Sequence, residues 1–110
     1  MPNIKIFVDQ AEMAGLQGVL TALLPDLRAQ LCAALGVDLS ISQVAVLPVI
    51  GLPDQPVINV ELHLLSAPAR TPEALRKLAQ DLRDMLGQAT GRHAAIRIAT
   101  FEPGGYVTLK

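Results

Sequence analysis

Cysteine is almost absent from this chain: Cys32 is the only one in 110 residues. A single thiol cannot close an intrachain disulfide, which excludes a stapled secreted scaffold and points to a reducing, cytoplasmic setting. Leu31 and Leu35 beside it predict a buried, unreactive thiol rather than a nucleophile. Tryptophan is missing, and aromatic residues make up only 3% of the chain. The nine Lys and Arg residues are scattered, and the formal net charge is −1. A nucleic-acid groove needs clustered cations, with aromatics for stacking, so nucleic acid is not an expected partner. The longest apolar stretches are broken by Pro25, Asp26 and Arg28, or by Asn59, Glu61 and His63. None reaches the roughly 18 residues of a membrane span, so no membrane partner is expected. The opening Met1-Pro2-Asn3-Ile4-Lys5 leads straight into a strand pattern and does not read as a signal peptide. The two histidines, His63 and His93, and the single cysteine have no metal-ligand spacing. The glycines never form a phosphate loop, and Ser and His make no readable triad. The expectation is chemistry without metal or cofactor.

Apolar residues are plentiful. They form 51% of the chain against 17% charged, and the mean hydropathy is +0.40. A length of 110 residues predicts one domain spanning 1–110. So small a monomer cannot bury that much apolar surface, so part of it is expected in a subunit interface.

Residues 2–8 alternate with period two, Ile4, Ile6 and Val8 against Asn3, Lys5 and Phe7, and predict a first strand. From about 11 to 36 the apolar residues take helical spacing (Leu16, Val19, Leu20, Leu23, Leu27, Leu31, Leu35), and Gly36 is a natural stop. Pro25 lacks a backbone donor, so a kink, or a short helix followed by a fresh one, is expected there. Residues 41–49 predict strand two, Gly51–Pro56 a turn, and Val57–Leu65 strand three with the cleanest alternation in the chain. Thr71-Pro72-Glu73 is a helix start: cap, first-turn proline and a carboxylate suited to the dipole. The helix runs through Leu75, Leu78, Leu82, Met85, Leu86 and Ala89 to Gly91. Ala94–Phe101 predicts strand four, Pro103-Gly104-Gly105 a turn, and Tyr106–Leu109 a short final strand.

The order βαββαβ predicts an α+β, two-layer domain of two strand–helix–strand units, about 2–49 and 57–101, with a tail at 102–110. Right-handed crossovers put both helices on one face of a four-stranded sheet. The other face, with Asn59, Glu61 and His63, then needs a cover, and a partner subunit is the economical one.

One position stands out chemically. Methionine before a small residue is normally excised, leaving Pro2 as a secondary amine at the start of a strand. Such an amine serves as a general base if apolar surroundings and nearby cations draw its pKa toward neutrality. Two units of depression correspond to about 2.7 kcal/mol, within reach of burial plus one cation. Met-Pro can equally just open a strand, where proline is tolerated.

Taken together, Met1-Pro2-Asn3-Ile4-Lys5-Ile6-Phe7-Val8, Pro56–His63 and Val60–Glu73 in this element order resemble the tautomerase superfamily. That group includes macrophage migration inhibitory factor and the 5-carboxymethyl-2-hydroxymuconate isomerases. The resemblance covers nearly the whole chain. It implies a homotrimer with active sites between subunits, a small-molecule substrate, and Pro2 shuttling a proton in keto–enol or double-bond isomerisation. It singles out Arg70, in the turn before helix two, as an anion clamp. Tyr106, or a backbone amide near Leu65, would polarise a substrate oxygen. Gln43 could hydrogen-bond the substrate, and His63 keeps the register of a third-strand histidine. Members acting on dicarboxylates carry arginines where this chain has Asp9-Gln10-Ala11-Glu12 and Ser42-Gln43-Val44-Ala45. The cations that remain are Lys5, Arg70, Arg97 and Lys110.

Three readings therefore stand. One is a cofactor-independent tautomerase or isomerase acting on a small 2-oxo or enol acid. The second is a catalytically silent, oligomeric or binding protein of the same fold. The third is a ferredoxin-like small-ligand module with the same element order.

Overall fold

A computed structural model of the chain describes residues 2–110. Strand β1 (Asn3–Asp9) leads directly into helix α1 (Gln10–Leu35), followed by β2 (Gln43–Val49), β3 (Ile58–Leu65), helix α2 (Pro72–Thr90) and β4 (Ala94–Phe101). The sheet order is β2-β1-β3-β4. β1 and β2 pair in parallel, β3 and β4 pair in parallel, and β1 meets β3 antiparallel at the centre. Each half is thus a strand–helix–strand unit, and the two join through the central pair. This pairing removes the ferredoxin-like reading, whose halves pair antiparallel strands differently.

The alternation seen in the sequence is the wall between core and open face. Ile4, Ile6, Val8, Ile58, Val60, Leu62 and Leu64 are all fully buried. Leu16, Leu20, Leu27 and Leu31 of α1 and Leu78, Leu82 and Leu86 of α2 pack onto them. Both helices therefore cover one face of the sheet, and hydrophobic burial there is the main stabilising term. Leu62 lies in an inner strand with no exposure. Leu62→Ala is expected to lower stability by about 2–5 kcal/mol through lost transfer energy and the cavity left behind. Urea titration checks this, and a loss under about 1 kcal/mol would mean the site collapses around the smaller side chain.

Helix ends follow local chemistry. The Asp9 side chain accepts the Ala11 N–H at 2.9 Å and caps α1, while Thr71 accepts from Ala74 at 3.2 Å and caps α2. Gly36 and Gly91 take the left-handed conformation, φ 67° and 68°, that ends each helix at low steric cost.

Four expectations change. Of the two outcomes expected at Pro25, a kink or a fresh helix, the fresh helix does not occur: α1 is one helix of 26 residues. Leu20 before the proline and Leu27 after it are both locked into the core, and Pro25 and Thr21 lie on the exposed side. The Thr21 carbonyl that loses its helical donor can turn to water instead. The start of the second strand is also shorter than expected. Asp38 accepts the Ser40 N–H at 2.9 Å and draws Leu39–Ile41 into a 3-10 turn, so β2 begins only at Gln43. The same hydrogen bond holds the Asp38 carboxyl below its usual pKa. Thirdly, the final strand is absent. Pro103–Gly105 forms a 3-10 turn and residues 106–110 take no regular structure. A strand needs a ladder partner, and among the described residues the tail has none; Val107 and Leu109 stand 86% and 93% exposed. Finally, α1 is long and apolar enough to cross a bilayer by length and composition, despite the interruption at Pro25-Asp26. Here its leucine stripe packs on the sheet instead.

Pro48 fits because β2 is an edge strand, where a missing donor leaves no inner ladder bond unmade.

Candidate functional site

The sequence-predicted residues gather at the end of the sheet where β1 and β2 begin and β3 and β4 finish. The reason is topological: parallel β1/β2 and parallel β3/β4, joined antiparallel, bring two strand starts and two strand ends to one edge. Pro2 is buried there, immediately before β1. Its carbonyl accepts the Gln43 N–H at 3.0 Å. Asn3 lies opposite both Gln43 and His63. Excision of Met1, which would free the Pro2 nitrogen, concerns a residue outside the described ones.

Residues with odd numbers in β1, β3 and β4 face away from the helices. His63 is half-buried on this open face. Its ring meets Phe101 edge-on, centroids 5.2 Å apart and planes at 78°. Phe101 in turn stacks with Tyr106 at 5.4 Å and 11°. His63, Phe101 and Tyr106 thus form a continuous aromatic wall, with separations in the range where such pairs contribute beyond plain burial. Phe101 escaped the sequence reading. The signal was the Pro103-Gly104-Gly105 turn, which reverses the chain and returns Tyr106 to a residue five positions earlier.

Arg70 has another neighbourhood. One guanidinium nitrogen donates to the Leu65 carbonyl at 2.5 Å, and the Arg70 N–H donates to the Ala67 carbonyl at 2.9 Å. These bonds close the β3–α2 turn, while Ser66 N–H ties it to the Phe101 carbonyl at 2.9 Å. The carbonyl of Leu65 is therefore already engaged, and it is an acceptor, not the donor that a substrate oxygen requires. Arg70 also borders a small recess of about 210 Å³ between the end of α1 (Leu35) and the first turns of α2 (Leu75, Leu78). Structure thus joins Pro2 with Gln43, and His63 with Tyr106 through Phe101, while Arg70 sits beside Leu65 on the turn.

A cavity of about 430 Å³ opens at the opposite end of the sheet, against Phe7, Asp9, Leu52, Asn59, Glu61 and Arg97. None of the sequence-predicted site residues lines it. Lys5, Glu61 and Arg97 lie in one row across β1, β3 and β4. Arg97 donates to the Asn59 side-chain oxygen rather than pairing with Glu61. Among the described residues no three His, Cys, Asp or Glu side chains come together as a metal site.

Comparison with solved structures matches this arrangement over nearly the whole chain. Macrophage migration inhibitory factor from Toxoplasma gondii superposes with a TM-score of 0.65 at 18% identity, covering 96% of this chain and 95% of that one. A macrophage migration inhibitory factor-like protein from Entamoeba histolytica gives 0.73 at 11% identity, over 97% and 94%. A fused 4-OT, solved as a wild-type asymmetric trimer, gives 0.76 at 12% identity, over 96% and 91%. No protein-family model matches the chain, and no curated protein matches it in sequence. At these identities the likeness is one of fold: the chain has the fold that these proteins share.

Proposed function

We propose that this protein is a cofactor-independent tautomerase or isomerase of small 2-oxo or enol acids, with Pro2 as its general base, working as a homotrimer. The observation that carries this reading is the burial of Pro2 at the head of an inner strand, in a fold shared with a fused 4-OT and with inhibitory-factor proteins. Burial disfavours the ammonium form and leaves an imino nitrogen able to take a proton near neutrality. In the forward step this nitrogen accepts the enol hydroxyl proton and returns a proton to the adjacent carbon. The reverse step takes the carbon proton and restores the hydroxyl. No electrons leave the substrate, so the cycle closes without a co-reactant.

Exposed apolar surface supports the same reading. Val107, Leu109, Ile50 and Leu52 are all strongly exposed, and the tail has no strand partner among the described residues. A neighbouring copy would cover such surface and bring further side chains to Pro2. Tyr106, His63 and Gln43 would line the substrate's path, and Arg70 would hold its carboxylate through donors not used on Leu65. Arg70→Gln is expected to raise KM for phenylenolpyruvate about tenfold with kcat little changed, the pattern of lost uniform binding. A fall in melting temperature with KM unmoved would instead make Arg70 a tie for the turn.

The test of the proposal is a steady-state assay on phenylenolpyruvate comparing wild type with Pro2→Ala; equal rates remove Pro2 from the mechanism. A catalytically silent oligomer of this fold is the second reading, favoured by the absence of arginine near the end of β1 and in β2. NMR titration of the N-terminal amine separates the two. A pKa no lower than that of a free prolyl peptide supports the silent protein.

A further inference from the structure

The chain holds two phenylalanines, one tyrosine and no tryptophan. Phe101 and Tyr106 are two of those three rings, and they stack at the Pro2 end of the sheet. What holds each of them differs sharply. Phe101 closes β4 in register with Leu65, and its carbonyl accepts the Ser66 N–H at 2.9 Å. His63 meets the Phe101 ring edge-on, so that ring is fixed by its strand and by a neighbour. Tyr106 opens a tail without regular structure, and its N–H meets the Pro103 carbonyl at a long 3.4 Å. It is nonetheless half-buried, whereas residues 107–110 are all exposed. The stack on Phe101 is the contact that sets it apart from the rest of the tail.

We propose that Phe101 is a positioning residue: its ring holds Tyr106 so that the tyrosine hydroxyl donates to the substrate oxygen that gives its proton to Pro2. The inference rests on the site reading above and adds a residue that touches no reacting atom. A phenol is protonated at neutral pH and can donate to an oxygen on which negative charge develops. A backbone rival, the Ser66 N–H, is already spent on the Phe101 carbonyl. Rings 5.4 Å apart and 11° from parallel fix the plane of the phenol, and with it the line along which the hydroxyl points. An irregular tail by itself would let that hydroxyl wander, and a misplacement of about 1 Å can cost about 100-fold in rate. A donor carried on a loop is thus braced by a strand.

The test is a double-variant cycle with the full chain on phenylenolpyruvate, with kcat and KM read separately. Phe101→Leu keeps an apolar side chain but no flat ring, and is expected to lower kcat about tenfold with KM little changed. Tyr106→Phe removes the donor outright and is expected to cost at least as much. The double variant should lose no more than Tyr106→Phe alone, because Phe101 acts through that hydroxyl. Phe101→Tyr restores the ring and is expected to return kcat close to the wild-type value. Phe101 is half-buried at a strand end, and Phe101→Met serves if leucine disturbs the fold. With a single tyrosine and no tryptophan in the chain, the tyrosine near-ultraviolet circular dichroism and ring-proton shifts report on the stack without any assay. Both signatures are expected in the wild type and lost in Phe101→Leu. Losses that multiply in the double variant, or tyrosine signals identical in the two proteins, would overturn the proposal. Rates that depend on Pro2 but not on Phe101 sink this role alone, whereas a wild type without activity sinks the Pro2 reading and this role together.

Discussion

Replacing Pro2 by alanine is expected to lower kcat/KM for phenylenolpyruvate tautomerisation about 100-fold. A positioned general base contributes roughly 10² to 10⁴ in rate, and alanine still leaves a primary amine at the chain start, so the lower end applies. A hundredfold loss is about 2.7 kcal/mol of transition-state stabilisation. Pro2 opens an inner strand with its carbonyl held by Gln43, so truncating its ring is not expected to disturb the pairing of β1 with β2. The nitrogen must be unprotonated to act, so the wild-type rate should climb as pH rises through its pKa and fall below it. Mass spectrometry must first establish that both proteins begin at residue 2. A mature protein that keeps Met1 carries an amide nitrogen at Pro2, which cannot serve as a base, and the catalytic reading ends there.

Pro25→Ala is expected to stabilise the protein by about 2 kcal/mol. Proline inside a helix costs about 3 kcal/mol relative to alanine, through the missing donor and the clash with the preceding turn. Up to about 1 kcal/mol of that is offset because proline also restricts the unfolded chain. Pro25 sits mid-way along α1 with its ring exposed, so alanine loses little packing and restores the bond to the Thr21 carbonyl. Thermal unfolding should move up by roughly 8–10 °C, compared at one protein concentration because an oligomer's midpoint depends on it. An unchanged or lower midpoint would show that the proline ring is itself packed, most simply in a contact between copies.

Much of the fold was legible because its signals are local. The alternation of Ile58, Val60, Leu62 and Leu64 with Asn59, Glu61 and His63 reappears as buried and half-buried positions of β3. The capping pair of Thr71 with Ala74, and the glycines that end both helices, act within a few residues of themselves. The fresh helix start expected at Pro25 fails because the cost of proline is local while its tolerance is not: Leu20 and Leu27 on either side of it are buried in the core. Tyr106–Leu109 misled in the opposite way. The segment has strand-forming side chains, but a strand exists only if another backbone meets it.

The site divides along the same line. Pro2, His63, Arg70 and Tyr106 attract notice in the sequence by residue type and position. Phe101 as the bridge between His63 and Tyr106, and the engagement of Arg70 by the Leu65 carbonyl, depend on segments that meet only after β3 and β4 have paired. The sequence alone determined where four strands and two helices lie to within a few residues, and which side of β1 and β3 turns inward, since periodicity and capping are properties of neighbouring residues. Tertiary structure alone decided the order β2-β1-β3-β4, the continuity of α1 through Pro25 and the company each candidate residue keeps. Those outcomes arise from contacts between distant segments, whose energy no single stretch of chain contains.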